Sequence, residues 1–237
     1  MLDRSTVVGG LGFLAIGNAT ASDFELWRTD GTAQGTFQLG PINPGGNAAP
    51  RSITAFGAGV AFSANDGLSG RELYCSDGTV AGTRRVVDLY AGISSAFPDQ
   101  STQALLVPAD GGVYFAATVP AGKHLFFSDG SAAGTRRAVD DGAGTVPLWP
   151  QDITALRDGG VVFSAYLPET GREAWFSGGT AASTFLVADV APGPLGSSPS
   201  EFAATREGVI FSADDVVRGR EPWRLRLSQR VFDDGFE

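Results

Sequence analysis

The stretch Phe24-Glu25-Leu26-Trp27-Arg28-Thr29-Asp30-Gly31-Thr32 decides the fold, because its pattern returns along the chain about every 50 residues. The first two copies combine a Glu, an aromatic residue two positions later and an Asp-Gly-Thr turn. The pattern weakens toward the C-terminus. The later copies are Arg71-Glu72-Leu73-Tyr74-Cys75-Ser76-Asp77-Gly78-Thr79, Lys123-His124-Leu125-Phe126-Phe127-Ser128-Asp129-Gly130-Ser131, Arg172-Glu173-Ala174-Trp175-Phe176-Ser177-Gly178-Gly179-Thr180 and Arg220-Glu221-Pro222-Trp223.

A second motif lies between these copies and reads Gly59-Val60-Ala61-Phe62-Ser63-Ala64 in the second unit. It recurs in the other units, so repeats account for the whole chain. We therefore predict one repeat domain, residues 1–237, with five units. Their approximate bounds are residues 1–46, 47–98, 99–147, 148–197 and 198–237.

Each unit supplies about four short strand candidates. In the fourth unit they are Ile153 to Leu156, Val161 to Ala165, Glu173 to Phe176 and Thr184 to Asp189. Gly, Pro, Ser and Asp bound these segments, and no window has a helical period. Four antiparallel strands per repeat are typical of a propeller blade. The sequence predicts an all-β fold, a β-propeller of about five four-stranded blades, with an open β-repeat array as the alternative.

Composition excludes several classes of function. The chain has 237 residues, is 43% hydrophobic and only 18% charged, and carries a formal net charge of -9. This balance excludes a disordered chain, and the acidic excess argues against a nucleic-acid partner. No apolar run is long enough for a membrane span. With one His and one Cys (Cys75), no disulfide, metal site or cofactor is expected.

The N-terminal segment from Val7 to Ile16 has the apolar character of a signal peptide, preceded by Arg4. The negative charge of Asp3 offsets that of Arg4, whereas a signal peptide needs a positively charged N-terminal region. The same segment also aligns with the internal repeat. We therefore favour a repeat strand over a signal peptide here.

The repeated residues resemble a bacterial family named after its own motif, the ELWxxDGT repeat. The matches are Glu25-Leu26-Trp27 with Asp30-Gly31-Thr32, and Glu72-Leu73-Tyr74 with Asp77-Gly78-Thr79. A strand ending at Asp189, then Pro192-Gly193 and Ser197-Ser198, fits the family's usual continuation. The departures are Gly178 for the turn Asp, His124 for Glu, and the missing turn after Trp223. The resemblance implies an extracellular or cell-surface bacterial protein with no established enzymatic activity.

The last residues, Asp234-Gly235-Phe236-Glu237, resemble a short Asp-Gly-Phe-Glu ending of exported proteins. A strand is the competing interpretation, because Arg230-Val231-Phe232-Asp233 parallels Arg85-Val86-Val87-Asp88. Both interpretations can hold if the strand ends before the tail.

Turn chemistry explains the Asp-Gly-Thr motif. Asp accepts hydrogen bonds from its own downstream backbone, and Gly accepts positive φ. A calcium or ligand loop built on the turn carboxylates is the alternative, although one carboxylate per turn is few for calcium. The predicted turn residues are Asp30, Gly31, Thr32, Asp77, Gly78, Thr79, Asp129 and Gly130.

One aromatic residue per unit predicts packing between blades rather than a carbohydrate platform. These residues are Trp27, Tyr74, Phe126, Trp175 and Trp223. The repeated Glu follows an Arg in three copies. Adjacent strand residues face opposite sides, so we expect each to find its own partners across strands or blades.

A unique active centre should break the repeat. The residues that do so are His124, Trp149, Tyr90, Asp66, the pair Asp140-Asp141 and the pair Asp214-Asp215. A lone His replacing Glu is most simply a surface substitution, and no catalytic triad can be assembled. We predict no catalytic residues and a non-catalytic surface or extracellular module with an unknown protein or glycan ligand. The alternatives are a glycan-processing propeller using channel carboxylates and a structural spacer.

Overall fold

A computed structural model describes residues 5–17, 23–97, 106–109, 111–139, 148–157 and 159–226. In these ranges the chain is almost entirely strands and turns, and the one helical segment is a single 3-10 turn, Ala181–Ser183. No helix among the described residues is long and apolar enough to cross a bilayer. The all-β prediction is confirmed.

The described part of the chain contains nineteen strands, which form five antiparallel sheets. The first sheet contains β1 (Ser5–Val8), β2 (Leu11–Gly17), β3 (Phe24–Thr29) and β4 (Phe37–Gln38). The second contains β5 (Arg51–Phe56), β6 (Gly59–Asn65), β7 (Arg71–Ser76) and β8 (Arg84–Val87). The third contains β9 (Leu106–Ala109), β10 (Gly112–Val119), β11 (Gly122–Ser128) and β12 (Arg136–Arg137). The fourth contains β13 (Gln151–Ala155), β14 (Val161–Leu167), β15 (Gly171–Ser177) and β16 (Thr184–Ala188), and the fifth β17 (Ser200–Ala204), β18 (Gly208–Asp214) and β19 (Arg220–Arg226).

Within each sheet, strands that follow one another in sequence lie side by side. This up-and-down order gives every sheet two distinct ends. At the entry end the first strand begins, the second strand turns into the third, and the chain leaves for the next sheet. At the turn end lie the first hairpin and the Asp-Gly-Thr hairpin.

The prediction of four short antiparallel strands per unit is confirmed for four of the sheets. The fifth sheet has three strands in the described part of the chain. The predicted outer strand from Arg230 to Asp233, and the tail after it, lie outside the described residues. The N-terminal segment weighed as a signal peptide forms β1 and β2.

Contacts divide the chain into two compact units. Unit 1 comprises Met1–Pro120 and Phe127–Arg136, and unit 2 comprises Ala121–Phe126 and Arg137–Glu237. The predicted bounds of the five sequence repeats stay a prediction.

In unit 1 the first strands lie next to one another, because β5 contacts both β1 and β9. One apolar core joins the first two sheets through Phe13 and Leu26 on one side and Ile53, Phe62 and Tyr74 on the other. Sheets that pack face to face, with their first strands adjacent, have the arrangement of propeller blades.

Unit 2 repeats this arrangement. Its first strands β13 and β17 contact each other. Its core joins Val162 and Ala174 of the fourth sheet to Val209 and Phe211 of the fifth. Neither sheet buries its apolar face alone, so neighbouring blades depend on each other for stability.

Candidate functional site

The Asp-Gly-Thr hairpins use one carboxylate oxygen for two local hydrogen bonds. Oδ1 of Asp77 accepts the N–H of Thr79 at 2.8 Å and its hydroxyl at 2.7 Å. The turns at Asp30 and Asp129 have the same two bonds, from Thr32 and Ser131. These bonds to the charged form lower the pKa of each turn carboxyl.

The turn glycines adopt the left-handed backbone that side chains disfavour. Gly31 has a φ of 90°, and Gly78 and Gly130 both have a φ of 86°. The turns also receive bonds from the preceding blade. Nη1 of Arg28 donates to the carbonyl oxygen of Gly78 at 3.2 Å, and Arg84 donates to that of Gly130 at 3.3 Å. Each turn therefore serves blade-to-blade contact as well as chain reversal.

The repeated Glu of the first, second and fourth copies is buried, and each accepts hydrogen bonds from backbone amides. Oε2 and Oε1 of Glu72 accept the N–H groups of Leu89 and Ala96 at 3.0 and 3.2 Å. Burial raises the pKa of Glu72 to about 7, against the effect of these bonds. Glu25 and Glu173 hold the corresponding segments of their own sheets and also have raised pKa values because of burial. In the first, second and fourth sheets, the Glu side chain thus holds the segment by which the chain leaves the sheet.

The neighbouring Arg holds the corner by which the chain enters the sheet. Nη1 of Arg71 donates to the carbonyl oxygen of Ala49 at 2.8 Å. Nη1 of Arg172 donates to that of Trp149 at 3.0 Å, and Nη2 of Arg220 donates to that of Ser198 at 2.9 Å. The Arg and the Glu therefore have separate partners, as the strand geometry predicts.

A repeated corner that the sequence analysis did not identify precedes the first strand. A residue with positive φ comes immediately before a proline, and a second follows three positions after the first. The pairs are Ala49 and Ser52, Trp149 and Asp152, and Ser198 and Glu201, around Pro50, Pro150 and Pro199. At each corner the pairing register with the second strand shifts, as in a β-bulge. In the sequence, the prolines that recur just before each of these first strands could have indicated the corner.

The predicted packing aromatics differ in burial. Tyr74, Phe126 and Trp175 are buried, whereas Trp27 and Trp223 are half-buried. Tyr74 belongs to the core shared by the first two sheets, and its ring centroid lies 5.7 Å from that of Phe62. Trp223 packs against the core of unit 2.

The repeat-breaking residues do not form an active centre in the described ranges. His124 is buried at 2% exposure, so the interpretation as a surface substitution is wrong. Asp66 accepts two loop amides and pairs with Arg85 at 3.3 Å, and Tyr90 is half-buried. Among the described residues no group of three or more His, Cys, Asp or Glu could hold a metal ion. Asp140-Asp141 lies outside these ranges.

Cys75 is half-buried on β7, and burial raises the pKa of its thiol. A nucleophilic cysteine needs the opposite shift, toward thiolate. The Cys75 sulfur instead lies 3.0 Å from Nη1 of Arg84. Cys75 is therefore a strand residue that lies beside Arg84, the residue that also bonds to the Gly130 turn of the next blade.

One group of apolar side chains stands out at the entry end of unit 2. It lies before β13, at the end of β14, after β16 and in the β18–β19 hairpin. We call it the apolar end surface. Its members are Trp149 (48% exposed), Tyr166 (41%), Leu195 (79%), Val216 (57%) and Val217 (85%).

Neither a protein-family model nor a curated protein matches the chain. Several solved structures do. A puromycin-hydrolysing peptidase of Mycobacterium tuberculosis matches at 14% identity over 96% of this chain and 38% of that one, with a TM-score of 0.49. Acylaminoacyl peptidase of Pyrococcus horikoshii matches at 12% identity over 88% and 31%, with a TM-score of 0.47. A luciferin-regenerating enzyme matches at 10% identity over 100% and 80%, with a TM-score of 0.43.

The chain spans about a third of the length of the peptidases it matches. The blades described above are propeller-like, and the matched structures include β-propeller domains. The prediction of a non-catalytic adhesion-type module is contradicted, because the matched structures include peptidases that carry β-propeller domains. The surface or extracellular location stays a prediction. At such identities the likeness concerns the fold and assigns no reaction to this chain.

Proposed function

We propose that the chain is a five-bladed β-propeller that binds polypeptide, of the kind that peptidase-type enzymes carry. Two features support the ring. In each unit the first strands of neighbouring sheets are adjacent, as they are around a propeller axis. The repeated Arg and Glu also fix the angle at which one sheet follows another. Closure leaves only short sheet edges exposed.

One observation carries the binding function. The repeated polar residues are engaged in holding backbone, as Glu173 and Arg172 show. Among the described residues of unit 2, five of the six large exposed apolar residues lie at the entry end, and they include Trp149, which breaks the repeat. The sixth, Ile210, lies at mid-strand in β18. The backbone of Trp149 is held by Arg172, while its exposed side chain is available for a ligand.

Polypeptide fits this end better than the other ligand classes. Sugars stack on aromatic faces, and the surface has two aromatic members, Trp149 and Tyr166, but its three most exposed members, Leu195, Val216 and Val217, are aliphatic. A nucleic acid needs a cluster of cations, and this end is rich in carboxylates. Aromatic and aliphatic anchors with a polar rim are typical of protein interfaces.

Peptide-array screening followed by calorimetry tests the function. We expect short peptides to bind the purified chain at micromolar Kd, and a glycan array to give no binding. Binding to glycans alone, with no peptide bound, would overturn the proposal.

Crosslinking tests the closed ring separately. Val7, Ala55 and Ala203 are exposed on the first strands of the first, second and fifth sheets. In a Cys75→Ser background, a flexible bismaleimide should join Val7→Cys to Ala203→Cys within one chain. The Val7→Cys and Ala55→Cys pair is the positive control, since β1 and β5 are in contact. Crosslinking of the control alone would favour the open array.

A further inference from the structure

The apolar end surface is assembled from two neighbouring blades of unit 2. Trp149 and Tyr166 belong to the fourth sheet and lie close together, because the N–H of Tyr166 donates to the carbonyl oxygen of Leu148 at 2.8 Å. Leu195 lies on the connection to the fifth sheet, which packs on the β14–β15 hairpin at Gly171. Val216 and Val217 form the tip of the β18–β19 hairpin. The surface therefore continues across a blade boundary.

Hydrogen bonds fix the two corners beneath this surface to each other. Arg172 donates from its side chain to the Trp149 carbonyl and accepts the N–H of Ser198 on its own carbonyl at 3.0 Å. Arg220 then donates to the Ser198 carbonyl. The backbone that carries Trp149 is held from one blade to the next, so a ligand meets a surface ordered in advance.

Two of the apolar side chains stand on strained backbone. Trp149 has a φ of 46° and Val216 a φ of 59°. A β-branched residue with positive φ is an outlier, and such strain persists only where the surroundings impose it. Both strained residues expose their apolar side chains to solvent, so packing in the core does not account for the strain.

Charge distinguishes the two ends of unit 2. Among its described residues, the entry end has an excess of carboxylates over cations, and the turn end has the reverse. The entry-end carboxyl groups outside the core are Asp152, Glu169, Asp189, Glu201, Asp214, Asp215 and Glu221, against Lys123, Arg172, Arg218 and Arg220. The turn end has Arg137, Arg157, Arg206, Arg224 and Arg226, against Glu207.

Backbone hydrogen bonds hold the Asp215 carboxyl group beside the apolar tip of the β18–β19 hairpin. Oδ1 of Asp215 accepts the N–H groups of Arg218 and Val217 at 2.6 and 3.0 Å, and these bonds lower its pKa. Glu169 is exposed on the hairpin beside Leu195. A ligand that covers the tips must therefore place cations near these carboxylates.

We propose that the apolar end surface binds a polypeptide segment whose apolar side chains are flanked by Lys or Arg. This inference rests on the proposed polypeptide-binding function and names its surface and its ligand chemistry. Apolar side chains of the segment cover Trp149, Leu195 and Val217, and its cations face Glu169 and Asp215. Complementary charge selects the partner and speeds its arrival, while the apolar contacts supply most of the affinity.

Three sets of synthetic peptides test the proposal. They share an apolar centre and carry Lys, Gln or Glu at both flanks, and binding to the full chain is measured by fluorescence polarisation. We expect the Lys-flanked set to bind about tenfold more tightly than the Glu-flanked set. The preference should shrink as sodium chloride is raised, because exposed charges are screened. Equal binding of the two sets would overturn the proposal.

Variants locate the surface. Val216→Ser with Val217→Ser should weaken binding of Lys-flanked peptides about tenfold or more. Ile210→Ser is the matched control, because Ile210 is an exposed aliphatic residue of the same unit at mid-strand in β18. Glu169→Lys should reduce the preference for Lys flanks without changing the melting temperature.

The outcomes separate this inference from the proposed function. Peptides that bind the wild type and the Val216/Val217 variant equally would overturn the surface and leave the function standing. Failure of every peptide, at all three flank compositions and in the array, would overturn both.

Discussion

Oε1 of Glu72 accepts a hydrogen bond from the backbone N–H of Ala96 over 3.2 Å. The bond joins β7 to the chain that leads from the second sheet to the third. Glu72 is fully buried, and this burial raises its pKa to about 7. A carboxyl group in the core of a blade thus holds the start of the connection to the next one.

Stability should depend on the protonation of Glu72. The folded protein holds the proton up to a pH of about 7, whereas the unfolded chain releases it near 4.5. The stabilising contribution is therefore present below about pH 4.5 and is lost as the pH rises toward 7. We expect the free energy of unfolding of the wild type to fall over this range, by up to about 3 kcal/mol from this group.

Urea unfolding at a series of pH values measures this effect. Glu72→Gln should flatten part of the pH dependence, since its amide does not titrate. Glu207→Gln, at an exposed Glu of the fifth sheet, should leave the profile as in the wild type. A Glu72→Gln profile parallel to that of the wild type would contradict the prediction.

The three turn glycines provide a graded test of backbone strain and blade packing. A Cβ at Gly31 would contact nothing within 4 Å, at Gly78 it would lie 3.3 Å from Leu11, and at Gly130 2.6 Å from Phe56. Gly31→Ala should cost about 1 kcal/mol for positive φ alone. Gly78→Ala should cost more, and Gly130→Ala the most, by about a further 1–3 kcal/mol.

Chemical denaturation of the three Ala variants gives the order directly. Equal losses at all three positions would mean that the turns do not contact the preceding blade.

The Asp77 carboxylate should stabilise the fold mainly as a hydrogen-bond acceptor and only to a smaller degree through its charge. Asp77→Ala removes the partner of both Thr79 groups and should cost about 1 kcal/mol. Asp77→Asn keeps an acceptor oxygen at the same place, so its loss should be smaller. Thermal unfolding of both variants at neutral pH checks this, and an Asn variant as unstable as the Ala variant would point to a role for the charge.

Calcium should have no effect on stability through the turns. Oδ1 of Asp77 is engaged by two donors from Thr79, and calcium requires six to eight oxygen ligands. Melting temperatures in calcium and in a chelator should coincide. A melting temperature that rises with calcium concentration would favour the loop-binding alternative.

Much of the fold was predictable because the same strand and turn motifs recur along the sequence. The recurring Gly at or just before each second strand, the apolar run of β6 and the turn at Asp77-Gly78 all express local preferences. A preference that recurs in each unit stands out from chance. The environment of His124 was not predictable, because burial depends on which face of β11 is covered, and that is set by residues distant in sequence.

The candidate surface was harder to predict for a related reason. Trp149 and Asp214 break the repeat and could be singled out, but nothing local places them at one end of one unit. Up-and-down topology does so, by bringing the start of β13 and the β18–β19 hairpin to the same edge. The positive φ of Val216 opposes its intrinsic preference, so propensity alone argues against it.

The bond between Glu72 and Ala96 has a consequence for exchanging repeats between proteins of this kind. Glu72, Leu89 and Ala96 all lie within the predicted unit of residues 47–98, so a segment exchanged at those bounds keeps the carboxyl group together with the amides that it holds. A segment cut between Ser76 and Leu89 instead separates them and leaves a buried acid without its hydrogen-bond donors. Hybrids exchanged at the bounds of the sequence unit should therefore fold, whereas hybrids cut between Ser76 and Leu89 should not.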